Sequence, residues 1–326
     1  MAATHTPSAP IMRLLRYGLA AACLVGVVVW LTDWGALWLT LRATQPIYLI
    51  GCVAIYFVGV WLSCLKWKSL LQAQGVSVGL RQLMRWYLIG GFAGTFLPSD
   101  VGGDLGRGYL AARAFDDKAA VWSSIVAERI TGLAGMIALA SLALLLAPQL
   151  LGWPVWMPLL LLGGGAAGLA AGLAALRSPR LLAALPAPLR RAAARLRVIL
   201  ERYGGHPQAI AYCLVISISY HALTACSLWL ILLALDPQAP PQAALVSPLV
   251  GLIGLLPLTP GGLGVREGAL AVLLERSGVA AGPAVAAALV SRALLTLTAL
   301  SGLPALIGEP WPRLVARESQ GGQNPP

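Results

Sequence analysis

Four stretches of this chain, residues 43–65, 130–176, 203–235 and 293–308, contain no Asp, Glu, Lys or Arg. A helix needs about 20 apolar residues to cross the hydrocarbon core of a bilayer. The first and third runs meet that length, the second is long enough for two crossings, and the fourth reaches it through a weakly charged approach from residue 277. With 58% hydrophobic and 11% charged residues, no stretch remains that is polar enough for a soluble domain. The fold class expected is an all-α integral membrane protein. Spans are expected near 14–32, 46–65, 119–147, 155–176, 208–235 and 280–307. The apolar run Tyr17–Leu31 follows Arg13 and Arg16 like a secretory signal, but "TDWGALW" after it offers no small-residue cleavage pattern. It reads as a retained anchor helix.

Two segments fit no full span. "FLPSDVGGDLGRGYL" (96–110) and "LLPLTPGGLGVREGAL" (255–270) share one layout: a proline, a Gly-Gly pair four residues on, then an arginine. Pro98, Gly102-Gly103 and Arg107 correspond to Pro257, Gly261-Gly262 and Arg266. Each turn is flanked by apolar arms too short to cross alone, 83–96 with 105–115 and 242–256 with 264–275. Non-helical backbone at membrane depth survives only where protein or a watery cavity satisfies its N–H and C=O groups. The expectation is two re-entrant helical hairpins beside six full spans. The plainer alternative is that Gly and Pro make ordinary turns between spans.

The basic residues order this topology. If both hairpins return to the side they left, one side collects Arg13, Arg16, Lys66, Lys68, Arg81, Arg85, Arg113, Lys118, the arginines from Arg177 to Arg202, Arg313 and Arg317. The other keeps Arg42 and Arg276. The positive-inside rule then puts both termini in the cytoplasm, at a plasma (bacterial inner) membrane. The net charge of +11 becomes a topology signal, and nucleic acid is not needed to explain it. The hairpins would enter from opposite faces, so that repeat one (about 46–147) and repeat two (about 208–307) form an inverted repeat, the plan many secondary transporters use for a site reachable from either side. The domain reading is residues 1–12 as a disordered cytoplasmic start, 13–308 as one polytopic domain with a basic linker at 177–207, and 309–326 as a disordered cytoplasmic tail.

Eight charged groups fall inside or next to these elements: Arg107, Arg129, Arg266 and Arg292 with Asp104, Glu128, Glu267 and Asp100. Arg129 lies 11 residues after Lys118. At 1.5 Å per residue it sits roughly 16 Å deep. Arg292 takes the corresponding place in the second repeat. An unpaired charge there costs at least about 2.5–3.5 kcal/mol, so pairing is expected. In one reading these groups only brace hairpins against helices. In the other, the arginines and the backbone amides of Gly102, Gly103, Gly261 and Gly262 hold an anionic headgroup, since Arg grips phosphate through a two-pronged fork and exposed amides bind anions. Asp104, Glu128 and Glu267 then hold the arginines in place when no ligand is bound.

The other candidates read more simply. His221 in "SISYHALTACS" is expected to join two helices by a hydrogen bond. Cys23, Cys52, Cys64, Cys213 and Cys226 form no CxxC pair and read as apolar fillers. No His spacing suits a metal, and no cofactor is expected. "LRRAAARLRVILERY" (189–203) forms an amphipathic stripe suited to a cytoplasmic leaflet or to a plain basic loop.

At "FLPSDVGGDLGRGYLAAR" with "AERITGL", and "LPLTPGGLGVREGAL" with "SRALLTL", the sequence resembles the flippase-like membrane family that includes the transmembrane region of lysylphosphatidylglycerol synthases, over residues 11 to 308. The resemblance implies movement of a lipid or lipid-linked headgroup between leaflets. Synthases of that family carry a large soluble C-terminal domain, which this sequence lacks, so a synthase is not expected. The leading expectation is a flippase or transporter for an anionic phospholipid or lipid-linked substrate. An intramembrane enzyme with Asp104, Glu128 or His221 as acid–base group is a second class, although neither GxxxxGK[ST] nor GxGxxG occurs. A non-catalytic partner of a lipid or polysaccharide synthesis enzyme is a third.

Overall fold

A computed structural model describes residues 45–96, 101–147, 186–256 and 262–307, with a few isolated positions between them. Among the described residues every regular element is helical: α1 (Pro46–Gln72), α2 (Leu80–Phe96), α3 (Val101–Ala114), α4 (Lys118–Leu146), α5 (Ala187–Gly204), α6 (Pro207–Leu235), a 3₁₀ turn (Pro241–Val246) running into α7 (Ser247–Gly254), α8 (Val265–Arg276), α9 (Ala281–Ala299) and α10 (Gly302–Ile307). Among the described residues four segments are long and apolar enough to cross a membrane: α1, α4, α6 and the α9–α10 stretch Ala281–Ile307. The spans expected at 14–32 and 155–176 lie outside the described residues, as do both tails and most residues of the two proline turns.

Sequence explains where these helices start and stop. Pro46 and Pro207 take the first helical position, where a missing N–H costs nothing. Asp117 caps α4 by accepting from the Ala120 amide at 2.9 Å. After α1 the chain reverses at Gly75, whose φ of 76° lies in the left-handed region. The short pairs α2–α3 and α7–α8 coincide with the four arms read from the sequence.

The two larger buried clusters differ in which elements they join. The first joins α1 to α4 around Trp67, Leu71, Leu83 and Val121. The second joins α6 to α9, where Ala284 to Ala288 form a run that is almost fully covered. It also takes in Cys52 of α1 and Ala140 and Leu144 of α4. Helices α1 and α6 pack against each other across the halves. Small residues permit that approach: a Cβ on Gly59 would meet the Tyr220 ring at 3.1 Å, and one on Gly135 of α4 would meet Ser217 Cβ at 2.8 Å. Large apolar side chains such as Ile47, Phe57, Trp61, Leu142, Val215 and Leu297 point outward and are exposed. On helices of this length, an apolar exterior suits lipid and not water.

One boundary differs from the reading above. Helix α1 continues to Gln72, so Lys66 is no loop cation: it is buried, and its Nζ donates to the Glu128 carbonyl of α4 at 3.3 Å and to Ser217 Oγ of α6 at 3.1 Å. Neutral acceptors on two neighbouring helices hold the ammonium and let the helix run on.

Candidate functional site

Asp104 and Arg107 lie three residues apart on α3 and so share a face, with the Arg107 guanidinium 2.7–2.8 Å from an Asp104 carboxylate oxygen. Glu128 of α4 receives Arg107 Nη1 at 2.8 Å on one oxygen and the Tyr87 hydroxyl of α2 at 2.7 Å on the other. The Arg107 guanidinium carbon sits 4.7 Å from the Trp67 ring centre and 4.3 Å from that of Tyr87, within cation–π range. Side-chain exposure is 4% for Arg107 and 5% for Glu128. Arg129, at 40% exposed, pairs with the second Asp104 oxygen. Two cations thus meet two carboxylates in one connected network.

The second half builds a smaller network. Glu267, in the first turn of α8, accepts the Gly264 backbone N–H at 2.6 Å and the Arg292 Nε of α9 at 2.6 Å. This is the reach-back contact of a capping box, and an acid in a first turn also suits the helix dipole. Asp104 occupies the equivalent first turn of α3. Each acid pairs with an arginine 25 residues further along, Asp104 with Arg129 and Glu267 with Arg292. Both halves thus hold an ion pair between a short helix and the span after it, with the acid before the motif arginine in the first half and after it in the second.

The two motif arginines differ. Arg107 is saturated by partners, whereas half-buried Arg266 makes no hydrogen bond or ion pair among the described residues. Its stem lies against two glycines: a Cβ would come within 2.9 Å of Arg266 Cδ at Gly254 and within 2.7 Å at Gly262. Gly262 (φ 66°) and Gly264 (φ 78°) are left-handed, so glycine is needed there for conformation as well as space. Tyr220 of α6 lies within electrostatic reach of both Arg266 and Glu128.

The candidate glycines do different work. Gly103 is helical, and its close neighbour is Gly90 of α2: a Cβ on Gly103 would lie 2.6 Å from the Gly90 carbonyl oxygen. It lets α2 and α3 cross at backbone contact. Gly102 is buried beside it, and Gly261 lies outside the described residues, as does Asp100. His221 Nε2 bonds the Gly132 carbonyl of α4 at 3.1 Å, the helix-to-helix contact expected of it. Cys52, Cys64 and Cys213 are buried free thiols, while Cys226 is exposed on an apolar helix. Sequence reading missed Trp67, Tyr87 and Tyr220, which look like ordinary members of apolar helices until tertiary packing places them near Arg107 or Arg266, and it put Lys66 in a loop.

Residues 14–302 match the family described as the lysylphosphatidylglycerol synthase TM region. The chain belongs to that family. A curated relative, "UPF0104 membrane protein" of Methanothermobacter thermautotrophicus, is 24% identical over 306 residues, covering 84% of this chain and 86% of its own length. No solved structure matches the chain. For this family member, the match extends over both ion-pair networks and over the spans that carry them.

Proposed function

We propose that the protein moves an anionic phospholipid or lipid-linked headgroup between leaflets, with Arg266 as the group that first engages the anion. The observation that carries this reading is the contrast within the charged set. Arg107, Arg129 and Arg292 all face carboxylates at contact distance, whereas Arg266 is a half-buried guanidinium with no such partner among the described residues, in a turn cleared by glycines. Leaving a cation unpaired in an apolar protein is costly. An incoming phosphate offsets that cost with a charge-assisted fork of two hydrogen bonds.

The paired networks supply the second half of the mechanism. An anion that advances past Tyr220 competes with Glu128 for Arg107, and ion-pair exchange of this kind carries a charge through a low-dielectric interior without ever leaving it bare. The equal spacing of the Asp104–Arg129 and Glu267–Arg292 pairs supports two related halves, and the inverted, re-entrant arrangement gives the path access from both faces. In this reading the protein sits in the plasma membrane with cytoplasmic termini, and it acts as a transporter, not an enzyme.

The test is reconstitution into vesicles with labelled phosphatidylglycerol, phosphatidylcholine and a polyprenyl phosphate. Protein-dependent translocation of the anionic species and little of phosphatidylcholine is expected. No translocation of any of them, together with chemical change of a headgroup, would replace the transporter by an intramembrane enzyme.

A further inference from the structure

A second cationic feature lies apart from the networks above. Between the start of α2 and the short helix α10 is a groove of about 680 Å³, lined by Arg81, Gln82, Met84, Arg85, Leu88, Pro304 and Ala305. Arg81 and Arg85 stand one helical turn apart, so their Cβ atoms lie about 5–6 Å from each other on one face. Among the described residues the lining contains no carboxylate. Arg85 Nε donates to the Ala305 carbonyl at 3.3 Å, which ties the cationic wall to α10. Gly302 lets α10 approach α2 closely beside the groove: a Cβ there would run into the Leu88 carbonyl and Phe92.

Cations at this position are unusual. The first turns of a helix carry a partial positive charge and favour acids. Helix α2 has no acid in its first turn, and it has Arg81 and Arg85 in its first two turns. An anion placed there gains from both side chains and from the helix dipole. The rest of the lining is apolar, through Met84, Leu88, Pro304 and Ala305. The ligand that fits is charged at one end and hydrocarbon at the other.

We infer that this groove binds an anionic phospholipid of the surrounding membrane, its phosphate against Arg81 and Arg85 and its acyl chains along Met84, Leu88 and Pro304. The site is independent of the transport reading, because Arg81 and Arg85 belong to neither ion-pair network. Lipid bound here links α2 to α10 and so holds the first half of the chain against the end of the second.

The experiment follows thermal unfolding of the purified full chain in neutral detergent while phosphatidylglycerol, phosphatidylcholine or inorganic phosphate is added. A saturable rise in the midpoint with phosphatidylglycerol alone is expected. Arg81 is exposed, so Arg81→Glu leaves the lipid-free midpoint in place and raises the half-effective lipid concentration by about tenfold, the scale of one lost charge-assisted contact. Arg81→Lys retains most of the response, and Leu88→Gln weakens it. An equal response to phosphatidylcholine, an equal response to inorganic phosphate, or a response unchanged in Arg81→Glu would overturn the site. A response lost in Arg266→Gln and kept in Arg81→Glu would assign the binding to the transport path instead.

Discussion

At the scale of single residues, geometry separates Arg107, Arg129 and Arg292, which face carboxylates, from Arg266, which makes no ion pair among the described residues. Glu267 and Arg292 are buried to 4% and 19% exposure at the side chain. Removing one member of such a pair typically costs about 3–5 kcal/mol, because the other charge is left uncompensated, while removing both is far milder. Glu267→Leu is therefore expected to lower the unfolding midpoint sharply and Glu267→Leu with Arg292→Leu to recover most of the loss, as a double-mutant cycle in detergent will show. Arg107→Lys keeps the charge but loses the fork that spans Asp104 and Glu128, so it is expected to weaken the fold as well as transport. All eight charged candidates could be picked out of the sequence because charge is rare in apolar runs. Their partners could not: Arg266 has the same motif position as Arg107, and only packing reveals that Glu267 turns away from it to Arg292 and Gly264.

At the scale of elements, the arms of both hairpins and three long helices were readable from apolar runs bounded by Pro and Gly. The end of α1 was not. A lysine after an apolar run looks like a helix stop, and no periodicity announces that Ser217 and a backbone carbonyl on other helices will hold it. Gly103 was open to misreading for a similar reason: glycine serves turns and close helix crossings alike, and the difference lies in what faces it. The start of α4 offers a clean test. Asp117 accepts from the Ala120 amide and pairs with Arg202 of α5 at 3.2 Å, and these contacts, the amide first, hold its carboxyl below the usual range. Because the folded value is the lower one, the cap contributes fully above the unfolded value of about 3.9 and is lost as pH falls through the folded value. Asp117→Ala is expected to cost about 1 kcal/mol near neutral pH. Thermal melts at pH 7 and near pH 2 check this, since the gap between parent and variant closes at the acid end.

At the scale of the whole molecule, the two halves each pair a first-turn acid with an arginine in the following span. Hydropathy alone conveyed an all-helical membrane protein, but two-sided access rests on how the halves are oriented. Single cysteines at exposed Ser77 and Gln242, in a cysteine-free background, are expected to react with impermeant reagent from the cytoplasm and from the outside respectively. Labelling of both from one face would remove the inverted arrangement. The central claim, that Arg266 engages the anion, has a more direct test: the rate of labelled phosphatidylglycerol translocation in vesicles carrying parent, Arg266→Lys or Arg266→Gln protein at matched insertion. The account predicts near-normal melting of both variants, since Arg266 makes no hydrogen bond or ion pair among the described residues, with translocation reduced about tenfold by Lys and further by Gln. Parent-level translocation by Arg266→Gln would contradict it.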